Sequence, residues 1–339
     1  MKAHQLFLLT FWLVNGSLVL GATWEIDFSP LKGYYNSFNI IPSPYYRKED
    51  VEEIHKALKS VIPNEIKIVE ILARLKSQDR QLLAQEYQRA YGTRLVNDLR
   101  NKLTGKLEET VVAIMTPIDQ FLAQEIHDAI YGFHSDETAL IDTLCLFNTT
   151  MLDKVRNMYG LLYDTNMDYE IRVNAAGSFG KLMISCVHNM RTNKISIDDY
   201  ATKLSNGFTD DDFISYFALT SLEEIHQMRM KHKPWYGRKL EDIIKENSSG
   251  DFRRALMAIL NYAMSEKLYF LKRFHDSLER HCVDHRSLIR LILMGKKVRY
   301  EGIRDIYQKK YHKNIDEVLS NKLPPGNYRK LIQALFIRM

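Results

Sequence analysis

From residue 49 onward, apolar residues recur with the period of amphipathic helices. Val51, Ile54 and Leu58 share one face, and Ile68, Ile71, Leu72 and Leu75 follow at i, i+3, i+4 and i+7. Leu107, Val111, Ile114 and Met115 also fall on one face. Such stripes predict helices that bury one side against their neighbours. The turn formers agree. Only 15 glycines and 8 prolines among 339 residues suit long helices joined by short loops, and argue against a many-stranded sandwich. Residues 22–48 carry no such period. With Trp24, Pro30, Gly33, Pro42 and Pro44 they read as a tail that lies across a surface.

The helical pattern repeats. The pair Tyr87 and Tyr91 returns as Tyr159 and Tyr163, as His232 and Tyr236, and as Tyr307 and Tyr311. The second tyrosine steps by 72, 73 and 75 residues. A glycine followed two places on by leucine or an aromatic keeps the same beat: Gly105 with Leu107, Gly177 with Phe179, Gly250 with Phe252 and Gly326 with Tyr328. Small residues before each glycine suit a tight loop that starts the last helix of a unit. Two independent markers in phase four times divide the chain into units at 49–118, 119–190, 191–265 and 266–339, each with room for about five helices. The tyrosine pairs, four residues apart, read as packing between helices, as do Met228 and Met230.

Residues 1–21 have the pattern of a cleavable secretory signal. Lys2 gives a positive start, Leu6 to Val14 are apolar apart from Thr10, and Val19-Leu20-Gly21 precede a cut before Ala22. The competing reading is an uncleaved anchor, for which Asn15, Gly16 and Ser17 are poorly placed. Secretion is therefore expected. The three cysteines, Cys145, Cys186 and Cys282, are too few for a disulfide-stapled domain, with Cys145–Cys186 the one pair considered. Asn148 and Asn247 each open a glycosylation sequon, or alternatively cap a helix.

Composition is ordinary, with 45% hydrophobic and 26% charged residues, which excludes a disordered polyelectrolyte. A formal charge of +5 is too balanced to imply a nucleic-acid partner. No nucleophile elbow, phosphate loop, dinucleotide turn or metalloprotease helix is present, so a non-enzyme is expected.

A fourfold repeat of about 70 residues with these markers resembles the annexin family. The run from Asp98 to Lys106 is similar to that family's connection between the fourth and fifth helices of a repeat, and Ser287 to Leu291 to the start of a second helix. The resemblance covers residues 49–339. It implies an all-α array of four repeats of about five helices each, with loops turned to a membrane. It also implies calcium-mediated binding of anionic phospholipid. A Gly-x-Gly-Thr loop between the first two helices supplies carbonyls, and an acidic residue about 40 positions on completes the cage, because a hard cation needs anionic oxygen.

Every repeat departs from that pattern. The first has Ser60, Val61, Ile62 and Pro63 with Lys102 at the acidic position. The second has Gly132, Phe133, His134 and Ser135 with Asn174, the third Asn206, Gly207, Phe208 and Thr209 with Asn247. The fourth has Arg280, His281, Cys282 and Val283, with Leu323 near the acidic position. No cofactor is required on this reading. Weak residual calcium binding is expected only at Gly132, Ser135 and Asn174, and at Gly207, Thr209 and Asn247. The same loops carry Lys59, Lys102, Lys106, Arg280, His281, Arg286 and Lys322, with His285, Arg329 and Lys330 nearby. They form either a basic membrane-binding patch, strengthened by histidine at mildly acidic pH, or ordinary solvated charge. His281, Cys282 and His285 with His275 admit a zinc reading, against an ordinary polar loop. The expected function is peripheral binding to anionic membranes with weak or lost calcium dependence. The alternative is a secreted effector that binds a host or extracellular protein, and a further one is self-assembly.

Overall fold

A computed structural model describes residues 9–14, 17–22, 43–44, 46–131, 136–188, 191, 196–295 and 302–337. Near the start, β1 (Leu9–Val14) and β2 (Ser17–Ala22) pair antiparallel. Asn15-Gly16 between two apolar runs is a strong hairpin turn signal, which an apolar-run reading of the leader passes over. From residue 49 on, the described elements are helices, five to a repeat. They are α1 (Glu49–Lys59), α2 (Glu65–Arg74), α3 (Ser77–Tyr91), α4 (Leu95–Lys102) and α5 (Gly105–Met115). Next come α6 (Ile118–Tyr131), α7 (Glu137–Leu144), α8 (Thr149–Tyr163), α9 (Met167–Asn174) and α10 (Gly177–His188). In the third repeat α11 (Ile197–Asn206) and α12 (Asp210–Ile214, continued by a π-turn at Ser215–Leu219) precede α13 (Leu222–Tyr236), α14 (Leu240–Asn247) and α15 (Gly250–Met264). The last is α16 (Glu266–Glu279), α17 (His285–Met294), α18 (Ile303–Tyr311), α19 (Ile315–Lys322) and α20 (Asn327–Ile337).

The sequence markers have physical causes. The in-phase glycines 105, 177, 250 and 326 all have positive φ (61°, 63°, 55° and 134°), where a Cβ would be strained. Gly105→Ala is expected to cost about 1–2 kcal/mol of stability, read by denaturant titration; no change would show that the backbone relaxes there. The residue after each second tyrosine closes its helix in the left-handed conformation: Gly92, Asp164, Gly237 and His312. The tyrosines themselves meet a histidine from the first helix. His55 lies flat on Tyr91 at 3.5 Å between centroids and bonds the Tyr87 hydroxyl at 3.0 Å. His275 lies on Tyr311 at 3.8 Å and bonds Tyr307 at 2.7 Å, and His127 lies on Tyr163 at 3.8 Å. In the third repeat the roles exchange, and Tyr200 from α11 meets His232 edge-on. Met228 is buried as read, but Met230 is half-exposed and does not pack in the core.

Burial shifts these groups. His55, His275 and His285 all have pKa values lowered from the ordinary 6.5, chiefly by burial. Their neutral forms are favoured in the fold, so the stability they contribute is whole above about pH 6.5 and is lost as pH falls through the lowered values. A melting temperature lower at pH 5 than at pH 7.5 is expected, and the drop should shrink in a His55→Phe/His275→Phe variant. An unchanged drop in that variant would assign it to other groups.

Repeats one and four are neighbours although farthest apart in the chain. Helix α20 packs on α2 and α5 and α17 packs on α5, and Asn327 donates to Glu65 at 2.8 Å. Repeats two and three meet through α10 against α12 and α15. A buried ionic cluster joins repeats two and four. Arg290 donates to Glu125 at 2.6 Å, and Asp142 accepts from Arg273 at 2.8 Å and from the Tyr269 hydroxyl at 2.7 Å. The end of the N-terminal tail is tied to α3: Ser43 bonds Asp79 at 2.8 Å through its amide, and the Tyr46 hydroxyl donates to Glu86. Residues 23–42, the rest of the tail apart from Ala22 and a few described positions, lie outside the described residues.

Candidate functional site

The loops that join first to second and fourth to fifth helices share one face. In repeat four, His285 at the start of α17 bonds Tyr328 at the start of α20 at 2.7 Å. Glu279, ending α16, accepts from Lys322, ending α19, at 3.1 Å and from Lys313 at 3.2 Å; these bonds hold its carboxyl below the usual range. Lys106 in repeat one is close enough to lower the His285 pKa, and Arg290 in repeat four reaches Asp136 in repeat two at 3.5 Å. On the other side of this face, between repeats two and three, lies a cleft of about 800 Å³ that brings Glu137, Asp210, Glu246 and Asp251 together with Asn174 and Asn247.

The basic residues divide into two groups. Lys106 pairs with Glu109 at 2.7 Å, Arg280 with Asp284 at 2.9 Å, and Lys322 with Glu279. Arg286 is half-exposed, and it bridges Glu125 at 2.9 Å and Asp128 at 2.6 Å across to repeat two. Burial alone would lower its pKa, but those two carboxylates hold it above the ordinary value. It is an inter-repeat tie as well as a half-exposed surface cation. Arg329 donates to the carbonyls of Leu323 and Pro324. Lys59, Lys102, His281 and Lys330 are exposed, with no ion pair within 4.0 Å among the described residues. Burial holds the His285 pKa below the ordinary value, and its ring is bonded to Tyr328.

The oxygen donors for a hard cation are largely committed elsewhere. Gly132 and Ser135, with Phe133 and His134, lie outside the described residues. The Thr209 hydroxyl caps α12, accepting from Asp212 N at 3.2 Å and donating to its carboxylate at 2.6 Å. Gly207 closes α11 with φ 90°. Asn174 and Asn247 turn their Nδ2 back to the carbonyls of Glu170 at 2.8 Å and Ile243 at 2.9 Å, closing their own helices. In repeat four the residue at the helix end is Lys322. Leu323 is buried and takes the place of Leu103, because the extra proline in Pro324-Pro325 shifts the register. Cations at the ends of α4 and α19 do not fit a calcium cage. Among the described residues no group of three or more His, Cys, Asp and Glu is placed to hold a metal. His275 and His285 bond separate tyrosines rather than converging with His281 and Cys282.

Asn148 accepts from Met151 N at 3.0 Å and caps α8, whereas Asn247 is at a helix end and caps no N-terminus. Cys145 and Cys186 are buried free thiols, not a disulfide; burial pushes the Cys145 thiol up. Cys282 is free and exposed.

The family model described as Annexin matches residues 49–114. Human annexin A13 is 26% identical over 305 residues, covering 87% of this chain and 96% of that protein. Among solved structures, annexin III superposes with a TM-score of 0.79 at 24% identity, covering 87% of this chain and 95% of its own. A calcium-bound annexin (Sm)1 superposes with a TM-score of 0.74 at 19% identity, covering 92% and 98%.

Proposed function

The chain is an annexin-family protein, and from that premise we propose that it binds anionic phospholipid surfaces peripherally, with calcium dependence weak or lost. The observation that carries this reading is a substitution of charge. Lys102 stands at the helix end where a calcium cage needs a carboxylate and has no ion pair within 4.0 Å among the described residues, so attraction to the lipid is direct. Lys59, exposed on the same face, acts in the same sense. The protein is non-catalytic on this reading. Its leader supports secretion, with Asn148 the better presented glycosylation candidate, since Asn247 Nδ2 is bonded to its own helix. Calcium reaches this chain by analogy with the calcium-bound annexin (Sm)1, and the donor set argues that any binding is weak.

Co-sedimentation with phosphatidylserine vesicles tests both parts. Binding is expected in chelator, with a calcium-induced gain of less than about threefold, the size of a weak extracellular-grade site. No binding in either buffer overturns the lipid reading. Strong binding abolished by chelator overturns the calcium reading.

A further inference from the structure

Two aliphatic side chains on this face have no structural use. Val61 is 98% and Ile62 83% exposed, more than any other large apolar residue of the described chain, and they are adjacent. They sit in the connection between α1 and α2, where the family places its calcium loop. The loop is held firmly. Asn64 N donates to Ala57 O at 3.0 Å, the Asn64 side chain caps α2 by accepting from Lys67 N at 3.1 Å, and Pro63 restricts the turn. Ile66, half-exposed on the first turn of α2, continues the apolar surface. The comparable loops differ: Phe208 in repeat three is buried, and repeat four offers Arg280, His281 and Cys282.

The surroundings name the partner. Helices α1 and α4 pack together, and each ends on an exposed lysine without a carboxylate within 4.0 Å, Lys59 and Lys102. An apolar tip flanked by cations matches an interface whose outer layer is anionic and whose inner layer is hydrocarbon. A folded protein surface would offer the tip a pocket but not a continuous negative layer for the lysines. We infer that Val61 and Ile62 form a wedge that enters the headgroup–acyl boundary of an anionic bilayer, independent of any metal. This rests on the lipid-binding reading above and adds its mode: one repeat anchors by insertion while the neighbouring charges hold the surface.

The test uses the full chain and vesicles of phosphatidylserine and phosphatidylcholine in chelator. Val61→Ser/Ile62→Ser is expected to weaken binding by about tenfold, the loss for two partly buried aliphatic side chains. The remaining binding should vanish at raised salt, and the melting temperature should not move because both side chains are exposed. In a Cys282→Ser background, Ile62→Cys carrying an environment-sensitive dye should blue-shift on vesicles and be quenched by shallow spin-labelled lipid. Equal binding of the Ser/Ser variant, or a dye that stays in water while the protein binds, overturns the wedge and leaves the lipid reading standing. Failure of the unaltered protein to bind overturns both.

Discussion

Asp142→Ala is expected to lower the unfolding free energy by about 3–5 kcal/mol, the largest effect of any single change considered, and the melting temperature by roughly 10 °C. Asp142 is wholly buried and accepts from Arg273 and Tyr269, with Arg290 Nε 3.9 Å away. Removing the carboxylate leaves two cationic side chains, Arg273 and Arg290, buried with less negative charge to answer them, and orphans the Tyr269 hydroxyl. Asp142→Asn should fall between, because the amide still accepts from Tyr269 but carries no charge. Denaturant titration of both variants checks this. A loss below about 1 kcal/mol for the alanine variant would mean that water or rearrangement satisfies the arginines.

The second large effect is on binding. Lys59→Glu/Lys102→Glu is expected to reduce affinity for phosphatidylserine vesicles in low salt by about a thousandfold. Each cation near an anionic surface contributes about 1 kcal/mol, and reversing two of them changes four charges. Raised salt should bring the variant and the unaltered protein together, since exposed charges are screened. Stability should be little changed, because neither lysine holds an ion pair. Comparable reversal of Lys106 should do less, its charge already being answered by Glu109. Equal affinity of the double variant at low salt would remove electrostatics from the mechanism.

Much of the fold was readable because its requirements are local. Gly105, Gly177, Gly250 and Gly326 recur because a positive φ recurs, and glycine answers it at least cost. Tyr87, Tyr159 and Tyr307 recur because each must be large, apolar and buried. The histidines carry the same signal: His55 and His127 are 72 residues apart, on the same beat as the tyrosines they stack upon. Partner choice across repeats was not. Nothing near Arg286 in the sequence announces Glu125, 161 residues away, so a residue that reads as a free surface cation is also a tie. The same holds for Lys322, whose neutralising Glu279 lies 43 residues back. The site was legible in which residues its loops contain, and illegible in which of those charges remain unanswered.

The contact of α20 with α2 has a further consequence. In an open solenoid each unit touches only the next, and units can be added or lost at the ends. Here the last unit covers the first, so deleting it would strip α2 and α5 of their cover as surely as breaking the middle would. The chain should therefore unfold as one body, the first and last units standing or falling together although they lie farthest apart in the sequence.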